Sequence, residues 1–149
     1  MKFFFTAFLL ILSNSSCVFN KSISEHNTKE FDTLEIIYTQ FSRGFFKEIH
    51  IEKSKITTYL NYQKTEIKER KIEYKEWNKC VSFLRKINKN KISKLKSPTN
   101  NRQTDKVHYA KFTIILNGKS KISSPDFDHG FPPDSIKPLI DFMLNLSNT

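Results

Sequence analysis

Leu34, Ile36 and Tyr38 share one side of the stretch Phe31 to Gln40. This period of two marks a half-buried β-strand. Ser42-Arg43-Gly44 reads as a turn, because Gly44 adopts a positive φ at little cost. Phe45 to Glu52 alternates again, with Phe45, Ile49 and Ile51 opposite Phe46, Glu48, His50 and Glu52. Lys53-Ser54-Lys55 turns the chain into Ile56 to Tyr62, where Ile56, Leu60 and Tyr62 share a side. Thr65 to Tyr74 is highly charged and reads as an edge strand, since charge on an edge blocks sheet-to-sheet aggregation. The period then changes. Between Lys75 and Lys89, Trp77, Cys80, Val81, Leu84 and Ile87 form one helical stripe. Ser93 to Lys106 is a polar connection, and Val107 to Leu116 is the strongest strand, with Ala110, Phe112, Ile114 and Leu116 aligned. Asn117-Gly118 predicts a hairpin turn with Lys119 to Ser123 returning. Ser124 to Pro133 reads as an irregular loop. Asp134 is expected to cap a last helix carrying Ile136, Leu139, Ile140 and Met143. The sum is an α+β fold: an antiparallel sheet of about six strands with two helices packed on one face.

The N-terminal segment follows a different rule. Met1-Lys2 is a short positive start, Phe3 to Leu12 is apolar apart from Thr6, and Ser13-Asn14-Ser15-Ser16-Cys17 supplies small residues. Charge, apolar core and small residues in that order are the pattern of a secretory leader. Ten residues of helix reach roughly 15 Å, about half a bilayer core, which excludes a membrane span for this stretch. Residues 1–16 are therefore expected to be a cleaved signal peptide. Cys17 stands where a bacterial lipoprotein carries its lipidated cysteine. The serines before it resemble a lipobox, whereas Asn14 departs from the apolar residue of that pattern. Residues 17–30 read as the lipidated cysteine and a polar tether, and 31–147 as one folded domain. The expected location is exported, periplasmic or at the cell surface, held to a membrane by a lipid.

Charge changes this picture little. The chain has 149 residues, with 25 Lys+Arg against 15 Asp+Glu and a formal charge of +10. Only four of the basic residues are Arg, the side chain that base and phosphate recognition favours. Lysine, isoleucine and asparagine are all abundant, which looks like low-GC coding. The densest basic stretch, Lys86 to Lys96, reads as a solvated face or as a contact for an anionic surface. No nucleic-acid partner is expected.

The chain lacks HExxH, GxSxG, CxxC and any phosphate-cradling glycine loop. We expect no cofactor and no enzyme activity. One polar cluster, Ser124-Pro125-Asp126-Phe127-Asp128-His129-Gly130, could offer Asp126, Asp128 and His129 to a divalent cation. The competing reading is ordinary loop chemistry, with aspartates on nearby amides and Gly130 in a tight turn. His50 and His108 read as network histidines, Cys80 as a small core hydrophobe and Trp77 as core.

Ser42-Arg43-Gly44-Phe45, Tyr74-Lys75-Glu76-Trp77 and Phe127-Asp128-His129-Gly130-Phe131-Pro132-Pro133 resemble motifs of small exported bacterial proteins and lipoproteins, a family with no assigned activity. That resemblance implies location and fold. More distantly, Ser42 to Phe45 and the tail Pro125-Asp126, Pro132-Pro133 and Pro138-Leu139-Ile140-Asp141-Phe142 are similar to emfourin-type inhibitors of thermolysin-like metalloproteases. Arg43 breaks that family's paired glycine before the Phe, and no inhibitory residue carries over. If this resemblance extends to activity, it implies that the hairpin Gln40 to Phe46, with Arg43, Gly44, Phe45 and Phe46 at its tip, enters a protease cleft.

The expectation is thus a monomeric, non-enzymatic domain tethered in the cell envelope that binds an unidentified envelope protein. The alternatives are a metalloprotease inhibitor and a metal-dependent enzyme using the Asp126 loop. Intact mass spectrometry of the mature protein should find Cys17 as the first residue, carrying acyl chains. An unmodified N-terminus with a free Cys17 thiol would end the lipid-anchor reading.

Overall fold

The alternation of the first half builds a meander. In a computed structural model, which describes residues 33–148, four strands run β1 (Glu35–Ser42), β2 (Phe45–Ile51), β3 (Lys55–Tyr59) and β4 (Ile67–Lys71). The leader, Cys17, the tether and its His26 lie outside the described residues. Helix α1 (Tyr74–Arg85) follows, then two short 3-10 turns, Lys89–Lys94 and Asn101–Thr104, within the polar connection. β5 (Tyr109–Leu116), β6 (Ser120–Ser123), the two-residue β7 (Phe127–Asp128) and helix α2 (Lys137–Ser147) complete the described chain. The sheet order is β4-β3-β2-β1-β5-β6, every pair antiparallel, with β7 also on β5. The architecture is α+β.

Register shows why one face is covered. Across β1, β2 and β5, Tyr38 stands opposite Ile49 and Phe112, and Ile36 opposite Ile51 and Ile114. These residues join Trp77, Cys80, Val81 and Leu84 of α1 and Leu139, Ile140, Met143 and Leu146 of α2 in one core. Burying a side chain of this size contributes roughly 1.5–3 kcal/mol. The core thus forms only if both helical stripes meet the same side of the sheet. Burial pushes the Cys80 thiol up to about 12, with the Glu76 charge adding to the effect, so it remains a protonated core group.

Arg70 braces the charged edge. Its guanidinium holds both Glu76 oxygens, at 2.9 and 3.1 Å, and the Leu146 carbonyl at 3.1 Å. One side chain of β4 therefore joins the first turn of α1 to the last turn of α2. The Glu76 carboxylate also accepts from the Glu73 amide at 2.9 Å, satisfying an orphan helix donor.

Four sequence expectations shift. The third strand ends at Tyr59 rather than Tyr62, because the Asn61 side chain accepts from the Thr65 amide and Lys64 turns at φ 55. The hairpin at Asn117-Gly118 includes Lys119 as well; the first two residues have φ 54 and 63. The loop from Ser124 is partly strand. β6 and β7 share one edge of β5, and the register slips by one residue between them, a bulge at 124–126 where the Ser124 side chain takes the Phe112 amide. Asp134 does not cap the last helix. The chain makes one more turn, the Pro133 carbonyl accepts from Ile136 and Lys137, and the capping residue is the buried Ile136 with Pro138 in the first turn. Among the described residues no helix is long and apolar enough to cross a membrane.

Candidate functional site

The three side chains of the Asp126 loop diverge. Asp128 is fully buried, and both of its oxygens are claimed from within the fold. Oδ2 accepts from Thr99 Oγ1 and the Asn101 amide, each at 2.6 Å, and Oδ1 from Arg102 Nη1 at 2.8 Å and the Arg102 amide at 3.2 Å. Burial opposes the charge of Asp128, but the hydrogen bonds from Thr99 and Arg102 outweigh it and hold the carboxyl at about 2. Asp126 reaches the Lys111 ammonium at 3.0 Å. His129 turns its Nδ1 to the Tyr38 hydroxyl at 2.7 Å. Among the described residues no three His, Cys, Asp or Glu side chains gather as a metal site. Asp128 is instead the clamp that fastens the polar connection to the sheet.

The hairpin tip does assemble a surface. Gly44 sits at φ 83 beside Arg43, both exposed, in a two-residue turn closed by the pair Ser42 and Phe45. Only glycine adopts that φ without strain, so the turn holds its shape through backbone preference. Ser42 is tied twice: its hydroxyl lies 2.8 Å from His108 Nδ1, and its carbonyl accepts from the Tyr62 hydroxyl at 2.9 Å. The Phe45 ring packs 4.3 Å from the His108 ring and remains 37% exposed. On the opposite face Phe46 packs at 4.7 Å on Tyr62, itself 53% exposed, and Phe41 stacks at 5.4 Å on Tyr109. Arg102 lies over Tyr109 at 6.0 Å.

Behind the tip, His108 and His129 meet edge to face at 6.4 Å. Burial lowers the proton affinity of His129, and the charges of His108 and Lys47 lower it further. With its hydrogen on Nε2, a neutral His129 accepts a hydrogen bond from the Tyr38 hydroxyl at Nδ1; with it on Nδ1, the roles reverse. A cleft of about 330 Å³, bordered by Ser42, Arg43, Asp105, Lys106, Val107 and His108, opens beside the turn. These groups offer a partner ring surface, hydrogen-bonding edges and positive charge.

His50 is the network histidine expected of it. On the face without helices its Nε2 lies 2.7 Å from Glu48 Oε1, which also takes Lys64 Nζ at 2.5 Å, while Thr39 donates to Oε2 at 2.9 Å. Burial works against the Glu48 charge, but the bonds from His50, Lys64 and Thr39 bring its carboxyl down to about 2. This polar patch satisfies itself.

No protein-family model and no curated protein matches the chain.

Of the residues singled out from sequence, Arg43, Gly44 and Phe45 are exposed at the hairpin tip, and Phe46 faces the other side of the sheet, half-buried against Tyr62. Asp126, Asp128 and His129 separate into an ion pair, a clamp and a partner of Tyr38. Sequence reasoning missed His108, Tyr62 and Tyr109 as neighbours of the tip. The pairing of Phe41 with Phe46 follows from a two-residue turn, whereas Phe41 with Tyr109 requires β1 to meet β5 across a long separation.

The clamp has a pH signature. A carboxyl held at about 2 contributes stability above its ordinary range, and that contribution is lost as pH falls towards 2. Asp128→Ala should cost about 3–5 kcal/mol at neutral pH by leaving Arg102 unpaired. The melting temperature of this variant should fall less steeply between pH 4 and pH 2 than that of the parent. Parallel acid profiles for the two proteins would contradict the assignment.

Proposed function

We propose that the chain is an exported, non-enzymatic binding domain, anchored through Cys17, that grips an envelope protein with the hairpin end of its sheet. The observation that carries this reading is two exposed rings at one end of the sheet, Phe45 on one face and Tyr62 of the β3–β4 connection on the other, flanking a turn braced by Ser42, His108 and Gly44. Exposed aromatic side chains held in one position are the usual anchors of an interface, because they bury much area and lose little rotamer freedom. The leader-like order of residues 1–16 supports export, and the tether supports a domain lifted off a membrane. Immobilised full-length protein should retain a discrete protein from envelope extract. Phe45→Ala should release it with about a thirtyfold loss of affinity while the melting temperature stays near that of the parent. A retained set unchanged by Phe45→Ala, or nothing retained above empty beads, would overturn the reading.

The same hairpin favours a second reading, inhibition of thermolysin-like metalloproteases. Its tip is narrow, tied on both sides of Ser42 and set by the positive φ of Gly44, as a segment entering a cleft must be. Micromolar protein should then slow such a protease, and Phe45→Ala should weaken the effect. A panel of these enzymes proceeding at full rate removes this reading and leaves the first intact.

A further inference from the structure

The helices do not cover the whole sheet. Beyond the end of α2 the helix-facing side of β2, β3 and β4 borders a cleft of about 400 Å³, a volume within the range of small-molecule sites. Its walls differ in chemistry. Ile56, Leu60 and Leu146 supply an apolar side, while Lys47, Lys68 and Arg70 bring positive charge from adjacent strands.

Most nearby negative charge is committed elsewhere. Glu69 borders the cleft, but its carboxylate is on the opposite face, bonded to Lys55 at 2.8 Å and Thr57 at 3.2 Å. Glu76 spends both oxygens on Arg70. The Leu146 carbonyl at the negative end of α2 is answered by Arg70 as well. Lys47 contacts only neutral acceptors, Ser147 Oγ at 3.3 Å and Asn148 Oδ1 at 3.5 Å. Among the described residues neither Lys47 nor Lys68 pairs with a carboxylate. Like charges facing a concave, partly apolar wall raise the local concentration of anions.

We propose that this cleft binds a small ligand that carries one oxyanion, phosphate or carboxylate, on a short apolar body. The head sits between Lys47 and Lys68, and the body lies along Ile56, Leu60 and Leu146. Burial and then the charge of Lys68 lower the proton affinity of Lys47, a cost that a bound oxyanion relieves.

The test is a titration of the full chain with hexyl phosphate, hexanoate and neutral hexyl glucoside, followed by amide NMR and calorimetry. Hexyl phosphate and hexanoate should bind saturably and shift the amides of Lys47, Thr58 and Lys68. Lys68→Gln and Lys47→Gln should each weaken binding by about tenfold or more, whereas Lys68→Arg should stay within about threefold, since it retains the charge. Displacement of hexyl phosphate by phosphatidylglycerol vesicles assigns the oxyanion to a lipid headgroup, and persistence against them assigns it to a soluble ligand. The proposal falls if neither anion binds saturably, if hexyl glucoside binds as well, or if both glutamine variants, folded by their melting curves, bind like the parent.

Discussion

A carboxylate with no exposed surface sits at the centre of this fold. Removing Asp128 from water would be prohibitive without partners. The structure supplies four donors, all from the connection between α1 and β5. That arrangement converts a polar segment of the chain into a fixed layer over the sheet edge. It also sets what flanks it. Arg102, held by Asp128, lies over Tyr109, and the next residue, His129, reaches Tyr38 in the core. The His129 amide bonds the His108 carbonyl at 2.9 Å, so the two imidazoles behind the hairpin are positioned together. The hairpin end takes its shape from this clamp as much as from its own turn.

The second constraint is one-sided burial. Both helices pack on the face of Tyr38, Ile49 and Phe112, and the other face must live with water. It does so with Glu48 held by His50, Lys64 and Thr39, an arrangement that keeps charge on the surface without leaving an unpaired group. On the covered face the helices run short of β4, and the same arginine that ties the layers together marks where the cover stops. The cleft is a consequence of that shortfall.

Much of the architecture was legible from alternation. Leu34, Ile36 and Tyr38 read as one face and are one face; Trp77, Cys80, Val81, Leu84 and Ile87 read as a buried stripe and are buried. Local turn chemistry was legible as well, because Gly44 and Gly118 both have positive φ. What failed was whatever depended on distant partners. Asp128 read either as a cation ligand or as loop chemistry on nearby amides; it does accept backbone amides, but from partners 26 to 29 residues away along the chain. The bulge at 124–126 takes a hydrogen bond from β5 that no local pattern announces, while the extra turn before α2 is local, closed on the Pro133 carbonyl by Ile136 and Lys137. Arg43 to Phe46 was recognised as a tip, but the rings and histidines that brace it come from β5 and from loops elsewhere.

The central claim is that the hairpin end is set before any partner arrives. Amide hydrogen exchange of the free protein tests it most directly, since protection reports local opening. The account predicts that the amides of Phe41 and Phe45 and that of His129 are protected to a degree approaching those of Tyr38 and Phe112. Exchange at those three positions as fast as in an unstructured peptide, with the core still protected, would contradict it.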